Sequence, residues 1–186
     1  MRYLDVPRSV PIDCMEALHH FWDPEALRAF WPNIQSFDVR YDDGAHQEGV
    51  MTVLRDGARE QLRVSRFRGE KQIRFFNPDP PPGMATQTGS WRFEEGLSGR
   101  CVVRAQRTYA LRRRAGESSA SFAERDESFA RSLEARLRAL LDAFARHVSA
   151  RGAAGATRAG SAALDTDRAP DTSAEVGTPE APRVAG

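Results

Sequence analysis

The chain has 186 residues, of which 40% are hydrophobic, and a formal net charge of +1. This length allows one domain with a real apolar core, and the near-zero charge gives no electrostatic reason to expect nucleic acid or an anionic membrane as partner. No apolar run resembles a secretion signal or approaches a membrane span, so we expect a cytoplasmic protein. Lys71 is the only lysine in a sequence rich in arginine, alanine and glycine, which is typical of a GC-rich bacterial coding sequence.

A strand and two short helices are predicted at the N-terminus. Arg2–Val10 has β-branched and aromatic residues without a helical period, and Pro7 favours an edge position for this strand. Asp13 can cap the start of a first helix. Asp23-Pro24 then starts a second helix, with proline in the first turn where a missing N–H costs nothing. That helix is expected to end before Pro32.

The middle of the chain alternates apolar and polar residues with period two. Asp42-Asp43-Gly44 and Asp56-Gly57 are turn signals between such runs, and the proline-rich stretch Pro78–Gly83 can be neither helix nor central strand. Short strands joined by turns indicate an antiparallel meander. The predicted strands are Ser36–Tyr41, Val50–Arg55, Glu60–Arg68, Gln72–Asn77, Thr86–Glu94 and Arg100–Leu111.

A long amphipathic helix is predicted over Ser118–Ala150. Its large apolar residues recur at helical spacing and form one stripe, which must bury against the predicted sheet. The stripe consists of Phe122, Phe129, Leu133, Leu137, Leu140, Leu141, Phe144 and Val148. Residues 151–186 contain few large apolar side chains, and we expect them to form a disordered tail after a domain spanning 1–150.

Three kinds of chemical site have no sequence signal. The four histidines lack ligand spacing with cysteines or carboxylates, and no glycine-rich phosphate loop is present. Cys14 and Cys101 lie far apart in the sequence and do not form a CxxC motif, which favours two reduced, buried thiols. We therefore expect no metal and no cofactor.

The order of strand, two helices, about six further antiparallel strands and one long helix resembles the START/Bet v 1-like (SRPBCC) superfamily, in particular its polyketide cyclase/dehydratase branch. The segment from Val10-Pro11 to Phe30-Trp31-Pro32 carries this resemblance, together with Gly89–Phe93, Val102–Tyr109 and the terminal helix. It implies an α+β helix-grip fold, in which a curved antiparallel sheet of about seven strands wraps around the long C-terminal helix. It also implies a hydrophobic small molecule as ligand in an internal cavity.

Candidate site residues lie on three of the predicted strands. The resemblance implies that Ser65, Trp91 and Gln106 line the cavity. Where the family's cyclases carry an arginine, this chain has Phe67, and Arg63 shares the face of Ser65. The alternation leaves open which face of each strand turns inward, because polar and apolar residues are mixed on both. The predicted catalytic residues are Arg63 and Ser65, and the predicted ligand-binding residues are Phe67, Phe75, Trp91, Arg104 and Gln106.

Two classes of function remain open at this point. The first is a cofactor-independent polyketide cyclase, aromatase or dehydratase in secondary metabolism such as antibiotic biosynthesis, in which an arginine polarises a carbonyl. The second is a carrier, sensor or self-resistance protein that sequesters a natural product without turnover, and the missing cyclase arginine favours it. A domain whose cavity is closed by its own aromatic side chains is a third alternative. The Arg112–Arg114 run could contact an acidic acyl carrier protein.

Overall fold

The computed structural model describes residues 1–55 and 57–164. The elements in chain order are β1 (Arg2–Val10), α1 (Cys14–Trp22), α2 (Pro24–Phe30), β2 (Ile34–Asp42), β3 (His46–Arg55), β4 (Ala58–Arg68), β5 (Gln72–Phe76), β6 (Met84–Glu95), β7 (Cys101–Leu111) and α3 (Ser119–Leu164). Asp56 of the predicted Asp56-Gly57 turn lies outside the described residues. So does the predicted tail from residue 165 onwards.

The chain divides into two units, Met1–Gly152 and Ala153–Gly186. Of the second unit the structure describes only the final turns of α3, up to Leu164. The first unit contains the sheet, the two short helices and the amphipathic part of α3. None of the helices in the described part of the chain has the length and apolarity needed to span a membrane.

The seven strands form one antiparallel sheet in the order β1-β7-β6-β5-β4-β3-β2. The predicted antiparallel meander is confirmed, and β1, which contains Pro7, is an edge strand as expected. The two short helices follow β1 and the long helix follows β7, so the predicted α+β helix-grip architecture is also confirmed.

The predicted caps explain where the short helices begin. The Asp13 carboxylate accepts hydrogen bonds from the backbone N–H groups of Met15 and Glu16 at 2.8 Å. The Asp23 carboxylate accepts one from Ala26 N–H, also at 2.8 Å. Each cap satisfies N–H groups that have no partner within the helix.

The two faces of the sheet have different environments. We call the face that packs against α1 and α3 the inner face, and the opposite one the outer face. On β7 the inner-face residues are Cys101, Val103, Ala105, Arg107 and Tyr109, all of them buried. The residues between them face outward and are half-buried. Phe21 of α1, Phe144 of α3 and Trp91 of β6 meet in the centre of the core, with ring centroids 4.7–4.9 Å from Phe21.

Candidate ligand-binding site

Arg107 is a buried arginine on the inner face of β7. Its side chain lies between two aromatic rings, with the guanidinium carbon 4.5 Å from the ring centroid of Phe75 and 4.2 Å from that of Trp91. One nitrogen, Nη1, donates to the backbone carbonyl oxygens of Ser90 at 3.3 Å and Gln106 at 2.7 Å. The cation is therefore held by ring faces and peptide oxygens.

Arg107 has no carboxylate partner in the part of the chain that the structure describes. Among the described residues none forms an ion pair with it, and burial in apolar surroundings lowers the pKa of its guanidinium to about 9. Removing an ion from water without a counter-ion is strongly unfavourable. A charge kept in such a place stabilises the fold poorly, and groups with such a perturbed pKa cluster at functional sites.

Gly89 provides the space that Arg107 and Phe75 occupy. It pairs with both residues across the sheet, with Phe75 on one side and Arg107 on the other. A Cβ atom at this position would lie 2.6 Å from Phe75 Cζ and 2.9 Å from Arg107 Cδ. Only glycine allows the ring and the guanidinium to converge over this strand.

Gln87 and Tyr109 form the next pair along β6 and β7 on the same face. The Oε1 atom of Gln87 is buried and has no hydrogen-bond partner in the described structure. The Tyr109 hydroxyl donates to the backbone carbonyl of Asp126 at 3.5 Å, and burial raises the pKa of this phenol. An unpaired buried acceptor costs about 1–3 kcal/mol, so a donor supplied by a ligand would stabilise this region. The inner face thus offers a donor, Arg107, and an acceptor, Gln87, on adjacent pairs.

Half-buried apolar side chains pack against the core. They include Trp31, which follows α2, Val39 of β2, Leu62 of β4 and Phe129 of α3. Trp31 contacts Trp91 edge to face, with ring centroids 6.1 Å apart. Apolar side chains with a few polar anchors are the usual composition of a small-molecule site.

A second buried arginine, Arg66 of β4, has a structural environment. It donates to the last carbonyl oxygens of α1, those of Phe21 at 3.0 Å and Trp22 at 2.6 Å, and also to Gln47 Oε1. Burial lowers the pKa of Arg66 to about 10, while the charges of Asp42 and Asp23 oppose that shift. Arg66 therefore fixes the C-terminal end of α1 against the sheet, and its Nε atom is buried without a hydrogen-bond partner in the described structure.

The structure places the predicted site residues on both faces of the sheet. Phe75 and Trp91 face inward and contact Arg107. The other five side chains point to the outer face: Arg63, Ser65, Phe67, Arg104 and Gln106. Their roles in catalysis or binding stay predictions, and the structure does not bring them together with the inner-face group.

Several of these outer-face side chains have protein partners. Ser65 is buried and hydrogen-bonds His46 Nε2 at 3.0 Å. Arg63 lies 3.4 Å from the Asp79 carboxylate. Arg104 forms ion pairs with Asp5 at 2.7 Å and Glu94 at 2.9 Å. Such exposed pairs contribute little stability.

The sequence pattern did not indicate Arg107 or Gln87 as site residues. Arg107 lies on the buried inner face of β7, whereas Arg104 and Gln106 lie on the outer face. The sequence offered one weak indication of the inward direction of Arg107. Along β7 it alternates in step with Val103, Ala105 and Tyr109, and these residues are more apolar than those between them. No group of three or more potential metal ligands occurs among the residues that the structure describes.

Comparison with solved structures identifies the fold. A START superfamily protein from Mycobacterium smegmatis superposes with a TM-score of 0.52 at 15% identity, covering 74% of this chain and 98% of that chain. The chain has the helix-grip fold of START/Bet v 1-like proteins. The aromatase/cyclase Zhui from Streptomyces sp. R1128 gives a TM-score of 0.62 at 16% identity, covering 78% of this chain and 94% of that chain. The di-domain aromatase/cyclase StfQ of the steffimycin biosynthetic pathway gives 0.67 at 19%, covering 80% of this chain and 51% of that chain.

These identities show the helix-grip fold and leave the activity open. No protein-family model and no curated protein sequence matches the chain. The resemblance inferred from the sequence is confirmed as a START/Bet v 1-like fold with polyketide aromatase/cyclases among its structural neighbours. In this helix-grip domain, Arg107 and its aromatic neighbours lie between the sheet and the helices, on the face that the fold encloses.

Proposed function

We propose that this helix-grip domain binds a polyketide-like aromatic small molecule between the inner face of the sheet and α3. The observation that supports this most is Arg107, a buried guanidinium between Phe75 and Trp91 without a carboxylate partner among the described residues. A bound anionic oxygen would supply the missing counter-charge, and a carbonyl oxygen would supply a hydrogen-bond acceptor. The aromatic neighbours would contact the ring system of the ligand.

The polar groups define the ligand chemistry further. Arg107 offers N–H donors, which suit a carbonyl or phenolate oxygen. Gln87 offers an unpaired acceptor on the neighbouring cross-strand pair, which suits a hydroxyl group. A fused aromatic ring system with both carbonyl and hydroxyl substituents satisfies both, and aromatic polyketides have this pattern.

Turnover is the second candidate function. A cation fixed in a dry site stabilises the negative charge that develops when a carbonyl enolises, and cyclisation, aromatisation or dehydration of a polyketide chain proceeds through such enolates. These reactions need no cofactor. No described histidine or carboxylate contacts Arg107, which supports carrier or sequestration activity over proton transfer at this position. An acyl carrier protein, contacting the exposed Arg112–Arg114 segment, stays a predicted partner.

The test compares two arginines on one strand. 1,8-Dihydroxyanthraquinone, a fused aromatic with carbonyl and hydroxyl groups, is titrated into the full chain, and binding is followed by the fluorescence of the three tryptophans, Trp91 among them. Loss of hydrogen bonds from a charged donor is worth about 1.5–3 kcal/mol, so Arg107→Met should weaken binding at least about tenfold. Arg104→Met, on the opposite face of the same strand, should leave affinity unchanged. Equal affinities of the wild type and the Arg107→Met variant would refute the proposed site.

Mass spectrometry separates binding from turnover. The purified protein is incubated with a bacterial natural-product extract, and the bound species are analysed under native and then denaturing conditions. A ligand released unchanged supports a carrier or sequestering protein. A dehydrated or cyclised species whose formation stops in the Arg107→Met variant supports an enzyme.

A further inference from the structure

The outer face of the sheet carries a second, separate recess. It is a groove of about 500 Å³ whose lining residues lie on β1, β4, β5, β6 and β7. A volume of this size is within the range of small-molecule sites. The groove lies on the face opposite to Arg107, so the sheet separates it from the site proposed above.

Strand register explains the shape of the groove. Tyr3, Thr108, Thr88 and Phe76 lie directly opposite one another on four neighbouring strands. The two threonines form the floor, and an aromatic residue stands at each side. Because neighbouring strands lie about 4.8 Å apart, the two aromatic walls are separated by roughly 14 Å. This width accommodates a fused-ring molecule.

One wall continues into a stack of aromatic rings. The His46 and Phe67 rings are parallel within 4°, with centroids 4.5 Å apart. Phe76 follows, with its centroid 6.3 Å from that of Phe67 and its plane within 11°. Phe67 is 37% exposed and Phe76 is 39% exposed. The stack thus presents aromatic surface to the groove, where another planar ring could extend it.

The next row of cross-strand neighbours on the outer face supplies hydrogen-bond donors and a cation. Gln106, Ser90 and Arg74 lie opposite one another along it. The Ser90 hydroxyl donates to Gln106 Oε1 at 2.9 Å, which leaves the Gln106 amide N–H groups as donors. Arg74 is exposed and forms no ion pair with the described residues, whereas the nearby Asp5 carboxylate is bound to Arg104 at 2.7 Å. The charge in the groove is therefore positive and its polar groups are mainly donors.

We propose that this outer groove is a second binding site, which takes a planar aromatic carboxylate. The ring stacks beyond Phe76 over the threonine floor, and the carboxylate pairs with Arg74. Charge complementarity selects a small anion over an apolar partner, because a second copy of the chain would bring another Arg74 against the same surface. This site does not depend on Arg107.

The test uses naphthalene-2-carboxylate and its neutral analogue naphthalene-2-carboxamide, each titrated into the full chain and followed by ¹H–¹⁵N chemical shifts. We expect the largest changes at Thr88, Ser90 and Thr108. An exposed ion pair is worth up to about 1 kcal/mol, so the carboxylate should bind about fivefold more tightly than the amide. Arg74→Gln should abolish this preference. Arg92→Gln removes an exposed arginine on the same face outside the groove and should preserve it.

Three results would overturn the proposal. The first is that the Arg74→Gln and Arg92→Gln variants lose the preference for the carboxylate over the amide equally, which would indicate non-specific charge attraction. The second is loss of carboxylate binding in Arg107→Met with no effect of Arg74→Gln, which would place the probe at the inner face. The third is dimerisation in sedimentation that perturbs the Phe67 and Phe76 signals, which would show that a second copy covers the groove. Failure of the inner site leaves these expectations unchanged.

Discussion

Replacing Arg107 with methionine should stabilise the protein while weakening the binding of the proposed ligand at least about tenfold. Burial lowers the pKa of the Arg107 guanidinium from its ordinary value to about 9. At about 1.4 kcal/mol per pKa unit, the folded state holds this charge at a cost of roughly 5 kcal/mol. The two cation–π contacts, with Phe75 and Trp91, return about 1–2 kcal/mol each when desolvated. The net gain on substitution is therefore at most about 1–3 kcal/mol, because the hydrogen bonds from Arg107 to the Ser90 and Gln106 carbonyl oxygens are lost as well.

Thermal and urea unfolding measure this effect. For a domain of about 150 residues, 1 kcal/mol corresponds to about 2–4 °C, so Arg107→Met should raise the Tm by at most roughly 2–10 °C. Arg104→Met is the matched control, because its partly exposed ion pairs with Asp5 and Glu94 contribute at most about 1 kcal/mol each. Destabilisation of Arg107→Met by more than Arg104→Met would refute the reasoning. It would mean that the contacts of Arg107 outweigh the cost of its burial.

Two further predictions concern the packing around Gly89 and the protonation of His20. Gly89→Ala should destabilise by about 2–3 kcal/mol in urea unfolding, because the added Cβ would lie 2.6 Å from the Gln106 carbonyl oxygen. At Gly152 the added Cβ would meet no atom within 4 Å beyond its chain neighbours and its own helix backbone, so Gly152→Ala should stabilise α3 by about 0.5–1 kcal/mol. Equal effects of Gly89→Ala and Gly152→Ala on unfolding would contradict the close packing around Gly89. Burial, aided by the charge of Arg151, lowers the pKa of His20, so His20 folds in its neutral form and its stabilisation is lost as pH falls below the unfolded value of about 6.5. The urea concentration at the unfolding midpoint should therefore decrease as the pH is lowered from 7 to 5. If the midpoint of a His20→Phe variant decreases equally over this pH range, another group is responsible for the titration.

The fold could be predicted from the sequence because each of its signals is local. Asp13 and Asp23 mark helix starts through hydrogen bonds to N–H groups two or three residues away. The glycine and aspartate turns separate the strands, and Pro7 indicates an edge. The apolar stripe on α3 follows from a period of 3.6 residues. These features need no knowledge of distant contacts, and together they restrict the architecture to a sheet with one long helix across it.

The inner site could not be predicted in this way because its residues depend on strand parity. A shift by one residue moves every side chain to the other face, and on β7 both faces carry one arginine. Gln106 was a reasonable candidate because a buried glutamine needs partners, yet it faces outward and accepts a hydrogen bond from Ser90. Only the register of β7 with its two neighbours fixes Arg107, opposite Gly89, as the inward-facing residue.

Arg66 and Arg107 show why even correct parity would not have identified the site. Both are buried arginines on the inner face, and both have aromatic rings within about 5 Å of the guanidinium. The difference lies in what the topology brings to each of them. Arg66 meets the carbonyl end of α1, whose partial negative charge and free oxygens satisfy a cation. Arg107 has two peptide oxygens and no carboxylate partner among the described residues. The position of the α1 terminus relative to the sheet therefore distinguishes the two arginines, because it gives Arg66 the carbonyl oxygens of a helix end, whereas the peptide oxygens at Arg107 come from strands β6 and β7.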